Sequence, residues 1–194
     1  MRRITMATVT IAAVSGLLLA GCSNAGNDTS SIAANASYNA ADVEFAQSMI
    51  PHHQQAVMMS QMAESAASAK RVKALAGEIE AAQAPEIKQM RAWLAEWKVD
   101  EADAAGHMAM GHDSGGMDMS GMMSNEQMNN LGSAKGLAFD EMFLTMMIEH
   151  HEGAVDMANA VKTDGKNADV RKLADAIIQG QTAEIATMTG WLSA

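Results

Sequence analysis

The chain of 194 residues holds a single cysteine, two prolines and one tyrosine, and aromatic residues make up only 4% of it. One cysteine excludes an intramolecular disulfide and a thiolate cluster for zinc or iron–sulfur. With few β-branched runs and no alternation of period two, there is little from which to build strands. Positive charge is also scarce: 13 Lys and Arg stand against 23 Asp and Glu, a formal net charge of −10. A surface of that sign repels phosphate backbones, so nucleic acid is excluded as a partner. No Ser-His-Asp, P-loop or Cys-His arrangement is visible, and no enzyme is expected. What the chain has in excess is methionine, 19 of them, and its six histidines fall in only three places. Apolar residues make up 48%, enough for one domain with a sizeable core.

The first stretch reads as an address. Arg2 and Arg3 precede the apolar run Ile4–Leu19, which only Thr and Ser interrupt. It is too short for a comfortable membrane span and has the shape of a secretory signal. The run ends Leu19-Ala20-Gly21-Cys22, which resembles the lipobox of bacterial lipoproteins. That resemblance implies removal of residues 1–21 and lipidation of Cys22, anchoring the protein to the membrane outside the cytoplasm, in the periplasm or at the cell surface. A plain signal peptide with an incidental cysteine is the alternative, and the position of the only cysteine speaks against it. Residues 22–39, rich in Ser, Asn, Ala and Gly, read as a flexible tether.

The remainder is one helical hairpin written twice. An offset of 98 residues aligns Asp42–Leu94 with Asp140–Leu192 without a gap, and 19 of the 53 positions are identical. Among them are Phe45/Phe143, Met49/Met147, His52/His150, His53/His151, Met59/Met157, Gln83/Gln181, Glu86/Glu184 and Met90/Met188. A repeat of this kind defines architecture before any local reading does. At about 100° per residue, Phe45, Met49, Ile50, His52, His53, Ala56 and Met59 share one half of a first helix. Val72, Leu75, Ala76, Ile79, Ile87, Met90, Trp93 and Leu94 form the stripe of a second. Breaks near 65–70 and 163–167 are short enough to join antiparallel neighbours. The expected fold is an all-α four-helix bundle over 40–194, with repeats at about 42–97 and 134–192.

Between the repeats, about 100–125, helical periodicity is lost. This stretch contains His107, Met108, Met110, His112, Met117, Met119, Met122 and Met123, separated by Gly, Ser and Asp. Methionine on a helix face is ordinary core, but here there is no apolar face to complete. Thioether sulfur is a soft ligand suited to Cu(I), and imidazole serves Cu(II) as well. The segment is therefore expected to bind copper and to contribute little to the core; a low-complexity linker with incidental methionine is the bland alternative.

Inside the bundle, Gln83, Glu86, Gln181 and Glu184 fall near the centre of apolar stripes. An unpartnered buried carboxylate costs several kcal/mol, so each glutamate is expected to face a histidine pair. The simplest arrangement is His52/His53 with Glu86 and His150/His151 with Glu184; pairing across the pseudo-twofold suits the same energetics. Two readings of this set stay open: a hydrogen-bond network that fixes helix register, or a metal site in a bundle core.

The stretch Phe45…Met49-Ile50-Pro51-His52-His53-Gln54-Gln55-Ala56-Val57, with Glu86-Ile87…Met90…Trp93-Leu94, resembles the family called domain of unknown function 305. The likeness runs through both repeats. It implies a ferritin-like bundle and an exported copper-binding protein linked to copper tolerance. Carried onto this chain, it implies a ligand set of His52, His53, His150, His151, Glu86 and Glu184 with the paired methionines Met49/Met147, Met59/Met157 and Met90/Met188. Sequestration would need no partner beyond the ion; handing on would need a copper-accepting protein. One departure speaks against a ferritin-like metal-dependent oxidase. The di-iron pattern needs Glu-x-x-His on two helices, and Glu149-His150-His151-Glu152 lacks it. A structural or interaction bundle without metal is the third reading.

Overall fold

Helix α1 (Ala40–Ala66) begins where Asn39 and Asp42 cap each other. The Asn39 side chain accepts from the Asp42 amide, while the Asp42 carboxylate accepts from the Asn39 amide, two otherwise orphaned donors satisfied at once. A turn of three residues leads into α2 (Lys70–Trp97), which ends at Lys98 in the left-handed region, φ 58°. Both helices run unbroken through their prolines, Pro51 and Pro85. The second hairpin repeats this as α4 (Leu137–Asp164) and α5 (Ala168–Leu192), with Asn167 capping α5 through the amides of Asp169 and Val170. Between the hairpins stands a short helix, α3 (Asn125–Ser133), started by a capping box of Ser124 and Gln127. The computed structural model describes residues 32, 35–101 and 120–194. Among these there is no strand, only an isolated parallel bridge between Ala67 and Gly136.

The expected all-α bundle of two duplicated hairpins is the observed fold. α3 is additional to it, and its Ser124-x-x-Gln127 start is a capping pattern that the sequence displays. The packing adds something that the repeat alone does not specify. One core cluster contains Ala56, Met59, Val72, Ala76 and Ile79 from the first hairpin with Phe143, Met147 and Met188 from the second. The other contains Ala154, Met157, Val170, Ala174 and Ile177 with Phe45, Met49 and Met90. Each member of one set is the 98-residue counterpart of a member of the other, so the two halves of the core exchange under a pseudo-twofold. Burying each Val, Ile, Phe or Met among them stabilises by about 1.5–3 kcal/mol.

The turns obey the same exchange. Asp42 accepts from the backbone amides of Lys166 and Asn167 in the α4–α5 turn, at 3.0 Å each. Asp140 accepts from the amides of Ser68 and Ala69 in the α1–α2 turn, at 3.0 and 2.9 Å, and from the Ser68 hydroxyl. Both aspartates are buried. Tyr38 stacks on Trp97 with ring centroids 4.4 Å apart, so the folded part begins before Asn39, inside the stretch that composition reads as tether.

Residues 120–123 return against the bundle. The Gln55 amide donates to the Met123 carbonyl at 2.8 Å, and its oxygen accepts from the Met123 amide at 2.7 Å. Gly121, at φ 77°, and Gly153 on α4 meet where a side chain on either would overlap the opposing backbone. Met123 is only 4% exposed and belongs to the first core cluster. The expectation that the methionine-rich stretch contributes little to the core is thus corrected at Met123. Its backbone is satisfied by Gln55, and that lets its side chain be buried; Met122 beside it is half-buried.

Candidate metal-binding site

At mid-bundle the four helical histidines form one layer, all 0% exposed. His52 from α1 and His150 from α4 meet across the pseudo-twofold with ring centroids 3.7 Å apart, tilted by 38°. His53 and His151 flank them, each with its centroid 6.4 Å from that of the preceding histidine. The adjacent pair diverges by about 100° around its helix, so one ring turns toward the other hairpin and the next toward its own. Nε2 of His53 donates to Glu86 at 2.8 Å, and Nε2 of His151 donates to Glu184 at 2.6 Å. Each histidine pair therefore engages the acid of its own hairpin, through its second histidine only. The first behaves differently: His52 Nε2 donates to the Ser120 carbonyl at 3.1 Å.

The glutamates are less buried than their place in the stripe suggests. Their side chains are 21% and 23% exposed, because the carboxylates stand at the rim of the layer while their helix stems pack inward. Glu184 opens onto a groove of about 320 Å³ that also borders Arg71, Glu78, Thr187 and Trp191. Gln83 and Gln181, one turn before the acids, are buried, and the Gln83 amide has no partner at either atom.

Electrostatics keep the centre of the layer uncharged. Burial, reinforced by neighbouring His53, drives the His52 imidazole from 6.5 down to about 3. His150 lies well below its ordinary value, first through burial and then through His52. A neutral imidazole has a lone pair to give, and metal binding requires that state. Nδ1 of His52, His53 and His151 is buried without a hydrogen-bond partner. Unsatisfied buried groups in such number in a native core mark a place for water or an ion.

Sulfur lies near. Met49 precedes His53 by one turn of α1, and Met147 precedes His151 by one turn of α4. Met49, Met59, Met90, Met147 and Met188 are completely buried, and Met157 is 8% exposed. Among the described residues no group of three or more His, Cys, Asp and Glu stands ready to hold a metal ion. Thioether sulfur and neutral imidazole are donor types that would fit a soft cation. His107, Met108, Met110, His112, Met117 and Met119 lie outside the described residues, as do Cys22 and the signal stretch. Asp42, Asp140 and Gln55 were not singled out by sequence reasoning, although Asp42/Asp140 is the first identical pair of the repeat.

A duplicated helical hairpin closed into a four-helix bundle around a histidine layer defines the class. The family model described as a domain of unknown function, DUF305, matches residues 42–192, and the chain belongs to that family. Among solved structures it is similar to a DUF305 protein of Streptomyces coelicolor described as secreted, at 31% identity and TM-score 0.67, covering 79% of this chain and 92% of that one. It is also similar to CopM in a Cu(II)-bound form, at 36% identity and TM-score 0.65, covering 78% and 95%. CopM is likewise solved in Cu(I)-bound and silver-bound forms. A DUF305 fragment from Deinococcus radiodurans matches at 29% identity and TM-score 0.66, covering 80% and 97%. Among curated proteins no relative matches. No helix among the described residues is long and apolar enough to cross a membrane.

Proposed function

We propose that this protein binds copper outside the cytoplasm, holding the ion or passing it to an accepting protein, without catalysing a reaction on it. The observation that carries the proposal is the buried layer of four imidazoles, in which Nδ1 of His52, His53 and His151 lacks a partner, in a core that also buries Met49, Met59, Met90, Met147, Met157 and Met188. Similarity to copper-bound CopM supports the same ion. His107 and His112 with Met108, Met110, Met117, Met119 and Met122 would supply a second set of donors, rich in soft thioethers. Lipidation at Cys22 would hold the whole at a membrane surface.

The test is a titration of the purified protein with Cu(I), Cu(II) and Zn(II), with bound metal read by elemental analysis. Cu(I) is expected to bind more tightly than Zn(II), which gains little from thioethers. Replacing Met108, Met110, Met117, Met119 and Met122 with leucine should remove part of the Cu(I) capacity and leave the fold intact; Met123 is kept because it is core. Absence of bound copper, or equal preference for zinc, would overturn the proposal.

A further inference from the structure

Three of the four buried imidazoles are tied at the same ring atom. Nε2 of His53 meets Glu86, Nε2 of His151 meets Glu184, and Nε2 of His52 meets the carbonyl of Ser120. Carboxylate and carbonyl oxygens accept, so in the neutral ring the proton sits on Nε2 and the lone pair on Nδ1. That Nδ1 is buried and unpartnered in all three rings. Leaving a buried acceptor unsatisfied costs about 1–3 kcal/mol, and this core repeats the omission at both His53 and its counterpart His151.

We propose that Glu86 and Glu184 are positioning residues rather than copper ligands: each holds its histidine as the Nε2–H tautomer, so that Nδ1 is the atom offered to a soft cation. The inference rests on the copper-binding reading above and names the atom through which it works. A metal-bound imidazole that donates its other N–H to a carboxylate is fixed in orientation and made more basic. The placement of the acids agrees with this role. Their carboxylates sit at the rim, about a fifth exposed, and Glu184 borders an open groove, so the charge stays hydrated while the Nδ1 side of the ring is dry. Oxygen is also the donor that Cu(I) favours least. The repeat keeps His53, His151, Glu86 and Glu184, whereas the histidine-flanking Pro51 and Gln54 have become Glu149 and Glu152.

Long-range 1H–15N NMR at about pH 8, where an unperturbed imidazole is neutral, reads the tautomer of each histidine in the metal-free protein. His52, His53 and His151 are expected as Nε2–H. Silver(I), a diamagnetic probe for Cu(I), should then shift the Nδ1 resonances of His53 and His151 and leave their Nε2–H signals in place. Glu86→Gln keeps an accepting oxygen, so the His53 tautomer and its silver-dependent Nδ1 shift should persist. Glu86→Ala should mix the His53 tautomers and weaken silver binding by about 10–100-fold, with His151 unaffected. Nδ1–H tautomers in the metal-free protein would overturn the proposal, and so would silver shifts on Nε2. Loss of the Nδ1 shift in Glu86→Gln would also overturn it and make the carboxylate a ligand. If the Nε2–H tautomers are present but silver and copper perturb neither nitrogen, the copper-binding reading itself fails, and this inference with it.

Discussion

Asp42 and Asp140 close each other's hairpins. Each stands in the first turn of one hairpin and binds the backbone of the turn in the other, and the bundle places the two at opposite ends. Asp42→Ala or Asp140→Ala leaves several backbone amides without their charged acceptor, at an expected cost of about 2–4 kcal/mol. The two losses should add within a few tenths of a kcal/mol, since the sites share no partner. Urea unfolding of the single and double variants checks both statements.

Acid should unfold the metal-free protein by a route that the histidine layer defines. The folded pKa of His52, about 3, and that of His150 lie below the unfolded value of 6.5, so below 6.5 the unfolded chain binds more protons. Their contribution is fully present above that pH and is lost as pH falls toward the folded values. The expected slope is up to about 1.4 kcal/mol per pH unit for each histidine. Denaturant midpoints between about pH 8 and 4 measure it. His52→Gln should flatten the curve.

Gly153→Ala should break the clasp that returns the chain to the bundle. The new methyl group would overlap the Ser120 carbonyl, and a side chain at Gly121 opposite would in turn meet the Glu149 carbonyl, so the two backbones have no slack between them. Relief requires residues 120–123 to move, at a cost of about 1–3 kcal/mol and at the expense of the Gln55–Met123 hydrogen bonds. Hydrogen exchange at the Met123 amide is expected to accelerate well beyond the change in global stability.

Met123→Leu separates packing from sulfur chemistry at a methionine of the 107–123 stretch that lies in the core. A swap of nearly equal volume should cost less than about 1.5 kcal/mol. Met123→Ala should cost about 2–5 kcal/mol, which thermal unfolding would register.

The repeat made the fold legible, because a 98-residue offset that preserves apolar phase in two helices permits little else. It also made the His–Glu partnership legible, since a carboxylate in an apolar stripe has to find a partner. Other features depend on the placement of the two hairpins and have no one-dimensional signature. The stacking of His52 on His150 is one. Asp42 is another: in sequence it is an ordinary first-turn acid, and only the fold shows that it also serves a distant turn. Burial of the glutamates was overestimated because helical phase gives a direction and not a depth. α3 was within reach, since Ser124 and Gln127 are spaced as a capping box.

The exchange symmetry of the core bears on how such a chain arises and how it can be cut. Neither hairpin owns a complete half of the interior: Phe143, Met147 and Met188 finish the cluster begun by Met59 and Ile79, and Phe45, Met49 and Met90 finish the one begun by Met157 and Ile177. A single hairpin would expose half of two unfinished cores, so the present molecule has the arrangement of a two-hairpin dimer written as one polypeptide. The segment that joins them makes an encounter between two hairpins intramolecular, and through Met123 and Leu131 it also packs into the first cluster. Severed between the repeats, the two pieces should reassemble from solution, in proportion to how much of each is present.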